Sequence, residues 1–181
     1  MRLILASGSP RRSELLRQAG LAFEIIVPNI DESPLPGEAP DVFVCRTARE
    51  KAESISADGA VILAADTAVV DGERILGKPT DAQDAAAMLR SLSGRTHEVM
   101  TGVCIRFPDR TECFHIETQV TFRTLSEKEI TDYVSTEEPM DKAGAYAIQS
   151  GAAKMVRRIE GSYSNVVGLP LCEVIETLEN L

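Results

Sequence analysis

The chain has no Cys-x-x-Cys pair, two histidines in 181 residues, and no apolar run long enough to cross a membrane. Each shortage removes a class of protein. Cys45, Cys104, Cys113 and Cys172 are scattered, which predicts reduced packing thiols in a cytosolic protein rather than a disulfide frame or a zinc site. His97 and His115 are too few for a histidine-based metal cluster. The apolar stretch Leu3 to Ala6 is far shorter than a signal-peptide core or a membrane span, so a cytoplasmic protein with no membrane partner is expected. An excess of basic charge is missing as well. The net charge of −9 argues against nucleic acid as a partner, because neutralising phosphates along a duplex needs a basic face. A few convergent Arg and Lys side chains can still build a local pocket for a small anion. Neither Gly-x-x-x-x-Gly-Lys-Ser/Thr nor Gly-x-Gly-x-x-Gly occurs, which disfavours a P-loop NTPase and a Rossmann dehydrogenase.

What is present suits one soluble domain over residues 1–181, or two small lobes sharing a core, with 44% hydrophobic and 26% charged residues. The organising stretch is Arg2-Leu3-Ile4-Leu5-Ala6, a short buried-strand pattern, followed by Ser7-Gly8-Ser9-Pro10-Arg11-Arg12. Ser9 is a good N-cap and Pro10 fits the first helical position, so a helix opens there. Leu15, Leu16 and Ala19 give it an apolar face, and Gly20 a left-handed stop. Bare amides at a helix start, two hydroxyls and two arginines make a candidate anion site. A surface turn with two solvated arginines is the plain alternative.

Further on, Ala22 to Val27 reads as a strand, and a Pro- and Gly-rich stretch follows that holds Asp31 and Glu32. A helix runs from Asp41, buried through Val44, Cys45, Ala48, Ala52 and Ile55, until Gly59. Its charges, Lys51 included, suit a solvated face. The unbroken apolar run Ala60 to Ala65 predicts a central strand ending at Asp66-Thr67, where open α/β sheets usually hold ligands. A small hairpin turns at Asp71-Gly72, Thr80 and Gln83 predict a capping box, and Ala85, Met88, Leu89 and Leu92 mark the buried side of that helix. Two alternating segments around Pro108-Asp109-Arg110 predict a long antiparallel hairpin, and Ser126 with Glu129 a second capping box. Lys154 to Ile159 can return as a strand, and Pro170 opens a final helix. This order predicts an α/β fold, with a mixed twisted sheet, flanking helices and the long hairpin.

On such a fold Ser7, Arg11 and Arg12 share the first strand-to-helix turn. Asp31 and Glu32 lie after the second strand, Asp66 ends the central one, and Lys51 and Lys78 border these elements. Carboxylates with Arg and Lys, and no evident Ser-His or Cys-His pair, suit metal-assisted attack of water on phosphorus.

Seven blocks carry a family resemblance. Leu5 to Arg12, Arg49-Glu50-Lys51-Ala52, Ala65-Asp66-Thr67, Gly77-Lys78-Pro79, Ser93 to His97, Asp141 to Gln149 and Asn165 to Leu171 resemble the Maf family in order and spacing. The resemblance implies a nucleoside triphosphate pyrophosphatase that releases a nucleoside monophosphate and pyrophosphate. It also implies a divalent cation (Mg²⁺ or Mn²⁺), a fold like that of the inosine triphosphate pyrophosphatases, and a homodimer. By position, Asp66 matches the family's catalytic acid, taken as the base that activates water. Arg12, Lys51 and Lys78 match its phosphate-binding cations, Ser7 lies in its phosphate turn, and Glu32 matches a carboxylate that helps Asp66 hold metal. Arg11, Thr67 and Gln149 match the positions that distinguish subfamilies, and this trio resembles the branch acting on dTTP and UTP. The branch acting on 7-methyl-GTP carries Trp, Gln and Glu there.

One stretch departs from the pattern. The family usually continues after Gln149 with Gly-x-Gly, whereas this chain has Ser150-Gly151-Ala152, a change expected to reshape the base pocket. Plainer readings stand beside these: Asp66 as a strand cap, Lys51 as a surface lysine, Gln149 as a bonded core amide. His97 and His115 read as structural, and Tyr146 and Tyr163 as packing residues more than base-stacking ones. A rival of another class is a nucleotide-binding regulator of septum formation without turnover. Release of pyrophosphate from dTTP separates the two.

Overall fold

A computed structural model describes residues 2–180. In chain order the elements are β1 (Leu3–Leu5), α1 (Pro10–Gln18), β2 (Glu24–Ile25), α2 (Pro40–Glu53), β3 (Val61–Asp71) and β4 (Arg74–Leu76). Then come α3 (Ala82–Leu92), β5 (Thr96–Arg106), β6 (Thr111–Phe122) and α4 (Glu127–Val134). After three short 3-10 turns the chain closes with β7 (Val156–Glu160), α5 (Tyr163–Val167) and α6 (Leu171–Glu179). The seven strands form one mixed sheet in the order β2-β1-β3-β5-β6-β7, with β4 paired to β3. This is the α/β architecture the element order predicts.

The chain divides into two compact units. The first comprises Met1–Thr67, Thr101–Ile116 and Gly168–Leu181. In it β1 pairs in parallel with β2 (Ile4↔Glu24) and with β3 (Ile4↔Ile62). Ile4, Ala6, Ile62 and Ala64 pack against Ala48, Ala52 and Ile55, so small residues let α2 lie close to the strands. β2 is shorter than the alternation suggests, because the three-residue β1 offers few partners and Pro28 follows soon after. Helix α2 stops at Glu53 rather than near Gly59, with the Ser54 hydroxyl donating to the Lys51 carbonyl at 2.8 Å.

Within this unit the expectation of four reduced cysteines is overturned. Cys104 and Cys113 form a disulfide with their Cα atoms 4.2 Å apart, while Cys45 and Cys172 are free. The hairpin is the reason. The Phe107 N–H donates to the Arg110 carbonyl at 2.8 Å, and Cys104 and Cys113 lie equally far from that pair on facing strands.

The second unit comprises Ala68–Met100 and Glu117–Val167. Its core joins Val69, Leu76, Leu89, Leu92, Val120, Phe122, Ile130 and Tyr146. β3 does not end at Asp66-Thr67 but runs on to Asp71, because the apolar Ala68 to Val70 continue it and β4 pairs with it (Val69↔Leu76). The predicted Thr80–Gln83 capping box does not form. Asp81 caps α3 instead, accepting from the Asp84 N–H at 2.8 Å, and the Asp84 carboxylate reaches back to the Thr80 N–H at 2.9 Å. A carboxylate outcompetes a threonine hydroxyl for the free amides of a first turn. The Ser126–Glu129 box forms as predicted.

Candidate active site

The turn from β1 into α1 begins the site. Ser9 caps the helix, its hydroxyl facing the Arg12 N–H at 3.5 Å. That seats Arg12 in the first turn, pointing inward and buried. Its Nε donates to the Gly168 carbonyl at 2.7 Å, Nη1 to Ser7 Oγ at 3.2 Å and Nη2 to Thr67 Oγ1 at 3.0 Å. All three partners are neutral oxygens. Burial pulls the guanidinium below its usual pKa, and Asp66 and Glu32 only partly offset this from a distance. Arginine does not give up its proton in a protein, so this is a desolvated cation whose charge no contacting carboxylate among these partners neutralises. Gly168 is at φ +132°, a conformation costly for any residue with a Cβ, and its carbonyl thereby accepts from Arg12.

Consecutive strand residues point to opposite faces, so β3 sends Thr67 towards Arg12 and Asp66 the other way. Thr67 Oγ1 also lies 2.9 Å from Thr101 Oγ1 on β5. Asp66, 7% exposed, meets Lys51 from the last turn of α2 at 2.7 Å. Lys51 is 4% exposed, and its ammonium also meets Glu32 Oε2 at 2.8 Å and the Ala65 carbonyl at 3.4 Å. Three acceptors thus match its three donors. Burial raises the Asp66 carboxyl above its ordinary pKa, and Lys51, then Arg12, hold it back. A buried acid with a raised pKa beside a fixed cation is suited to proton transfer.

Glu32 comes from the irregular stretch between β2 and α2, which is tied down by Arg46. That guanidinium makes a bidentate pair with Glu38 at 2.6 and 2.9 Å, bonds Glu50 at 3.0 Å, and donates to the Ser33 carbonyl at 3.1 Å. The pairing holds the Glu38 carboxyl down to about 2.

Six of the residues marked in the sequence thus meet in the first unit, as Ser7–Arg12–Thr67 and Glu32–Lys51–Asp66. Arg11 is half-buried on α1 and takes no part in either contact set. Lys78 and Gln149 belong to the second unit, and both are exposed, so Gln149 is not a core amide. Lys51 is not a surface lysine, and Asp66 lies within a strand rather than capping its end. His97 and Tyr146 are buried, their Nε2 and hydroxyl 2.7 Å apart, whereas His115 and Tyr163 are exposed. Sequence reasoning missed Thr101, Gly168 and Arg46. Thr101 carried a faint signal, as a hydroxyl on the apolar face of Val99 and Val103; the others act through backbone or through distant partners.

An α/β chain that gathers buried cations and carboxylates around its first strand-to-helix turn has the make-up of a phosphate-handling protein. The comparisons narrow that class. The chain belongs to the family described as Maf-like protein, whose model matches residues 2–181. A dTTP/UTP pyrophosphatase of Geobacter sulfurreducens is 53% identical over 184 residues, covering 99% of this chain and 96% of that protein. One from Anaeromyxobacter dehalogenans is also 53% identical, covering 98% and 92%. Among solved structures, a HAM1 protein from Coxiella burnetii aligns at a TM-score of 0.54 with 14% identity over 100% of both chains. The Staphylococcus aureus Ham1 protein aligns at 0.51 with 13% identity over 99% and 98%. These two show a shared fold, in line with the inosine triphosphate pyrophosphatase-like architecture that the resemblance implied.

Proposed function

We propose that this chain is a nucleoside triphosphate pyrophosphatase that hydrolyses dTTP and UTP to the nucleoside monophosphate and pyrophosphate. The relatives' names support the substrate. The observation that carries the chemistry is Asp66, buried, raised in pKa and held by Lys51, near a desolvated Arg12 whose hydrogen-bond partners among the described residues are neutral oxygens. In this reading the Asp66 carboxylate takes a proton from water as the water oxygen bonds to the α-phosphorus. The bond from that phosphorus to the oxygen bridging to the β-phosphate breaks, and pyrophosphate leaves with that electron pair. Ser7, Arg12, Lys51 and Lys78 bind the phosphates and offset the charge on the leaving group. Arg11, Thr67 and Gln149 select the base.

Asp66 and Glu32 would hold a divalent cation, Mg²⁺ or Mn²⁺. Among the described residues no group of three or more His, Cys, Asp or Glu side chains forms a metal cage. Two carboxylates still suit Mg²⁺, which commonly takes one or two from the protein and the rest from water and substrate phosphates. Bound there, the ion would polarise phosphate oxygens and lower the cost of charge build-up.

Residues 1–181 acting as a single domain, a homodimer and a cytoplasmic setting complete the proposal. No helix among the described residues is long and apolar enough to cross a membrane. The test is product analysis with dTTP, UTP, CTP and 7-methyl-GTP in the presence of Mg²⁺ or Mn²⁺. Pyrophosphate, with dTTP and UTP preferred, is expected. Orthophosphate would indicate a phosphatase, 7-methyl-GTP as the best substrate the other branch, and binding without turnover a regulator.

A further inference from the structure

The turn that carries Gln149 is held by buried or partly buried groups on both sides. Three residues before it, Tyr146 is buried, its hydroxyl 2.7 Å from His97 Nε2 and its ring edge-on to Phe122 at 4.8 Å. Immediately after it, the chain is gathered by one carboxylate oxygen. Glu138 Oε1 accepts from the Gly151 N–H at 3.2 Å, from the Tyr133 hydroxyl at 3.0 Å, and from the Ser150 hydroxyl. Burial and the Glu138 charge push the Tyr133 phenol above its ordinary pKa, so it remains a donor. Gly151 lies on the Tyr133 ring, where a Cβ would come within 3.0 Å of a ring carbon.

This arrangement explains the departure from the family pattern. Ser150 sits at φ −129°, which needs no glycine, and its side chain adds a third donor to the Glu138 oxygen. Ala152 is fully buried in the second unit's core. Gln149 itself is exposed, between the two anchors.

We propose that Glu138, with Tyr133 and Ser150, is a positioning cluster for base selection, fixing the Gln149 turn without touching the nucleotide. This rests on the reading of Gln149 as a base contact. A carboxylate accepting three hydrogen bonds favours one conformation of the turn, and loosening it lets the Gln149 amide sample poses that no longer meet the base.

The experiment measures kcat and KM for dTTP and GTP in Glu138→Ala, Glu138→Gln and Gln149→Ala, with melting curves to establish folding. Glu138→Ala should raise KM for dTTP about tenfold with kcat within about twofold, the loss expected when one charge-assisted contact ceases to hold a binding pose. The dTTP-over-GTP ratio of kcat/KM should fall in the same direction as in Gln149→Ala. Glu138→Gln keeps an acceptor oxygen and should recover most of the effect, and adding Glu138→Ala to Gln149→Ala should cost little more. If Glu138→Ala fails to fold, Tyr133→Phe and Ser150→Gly each remove one donor and should give about threefold of the same change. A folded variant with an unchanged ratio, while Gln149→Ala alters it, overturns the positioning cluster and leaves base contact by Gln149 standing. If Gln149→Ala itself leaves the ratio unchanged, the base-contact reading fails and the cluster's role falls with it.

Discussion

Asp66 is asked to be both buried and ionised, and its two roles pull its pKa in opposite directions. Desolvation raises it, while Lys51 and Arg12 stabilise the anion that the proposed mechanism uses. Asp66→Asn keeps the shape and removes the base, so turnover of dTTP should drop on the order of 10²–10⁴-fold with the melting temperature largely retained. In the proposed mechanism the ionised form is the active one, so with its pKa raised kcat/KM should fall on acidification at a higher pH than a free aspartate would give. A pH profile of the native protein and of Asp66→Asn checks this; an acidic limb of the same position in both would exclude Asp66. His97 makes the opposite case. Burial lowers its pKa from 6.5 to about 4, and among the described residues its Nδ1 has no partner, so a second proton would be stranded in the core. The unfolded chain therefore binds more protons than the folded one between those values. Stability should be complete above pH 6.5 and decline by about 3 kcal/mol by pH 4. Urea unfolding across that range should show the slope, and His97→Gln should flatten it.

At the scale of elements, the connection from β2 to α2 has no regular structure of its own yet delivers Glu32 to Lys51. Such a segment keeps its place largely through side-chain contacts, and Arg46, itself braced by Glu50 on α2, ties it down at Glu38 and at the Ser33 carbonyl. Arg46→Ala should speed amide exchange across residues 28–39 by about tenfold or more, since local opening there no longer breaks a bidentate pair. Turnover should fall less than in Asp66→Asn, because Lys51 and Asp66 stay on α2 and β3. Exchange measured by mass spectrometry decides it, and unchanged protection would mean the segment is held elsewhere. The hairpin of β5 and β6 shows how much register decides: alternation and a turn were visible in the sequence, but the pairing of Cys104 with Cys113 was not expected and depends on the register that sets them equally far from the turn on facing strands.

For the molecule as a whole, the proposal separates residues that serve every nucleotide from those that serve the base. Arg12→Ala, Lys51→Ala and Lys78→Ala should each lower kcat/KM for dTTP, UTP and CTP alike, by about 10²-fold for the buried Arg12 and Lys51 and by less for the exposed Lys78. Steady-state kinetics on the three substrates tests it, and a variant that loses one base while sparing the others contradicts its assignment to the phosphates.

Local physics carried much of this protein on its surface. The first strand-to-helix turn was legible because Ser9 and Pro10 are the residues a helix start demands. The Ser126–Glu129 box, the long hairpin and the α/β order were legible for the same reason, since caps, turns and alternation act over a few neighbours. The seven family blocks, read in register, also marked Ser7, Arg12, Lys51, Asp66 and Thr67, five of the residues that meet around Arg12 and Lys51. Tertiary structure decided the rest. By charge alone Lys51, like Arg49, suits the solvated face of α2, and it is packing that buries one and exposes the other. Likewise the run to Asp66 reads as a finished strand until β4 arrives to pair with its continuation. Arg12 meets Gly168 across 156 residues, and Glu138 gathers Ser150 and Gly151 from a separate turn. Those contacts depend on a buried polar group finding whatever acceptor or donor the folded chain brings within reach, a choice made by distance in space and not along the chain.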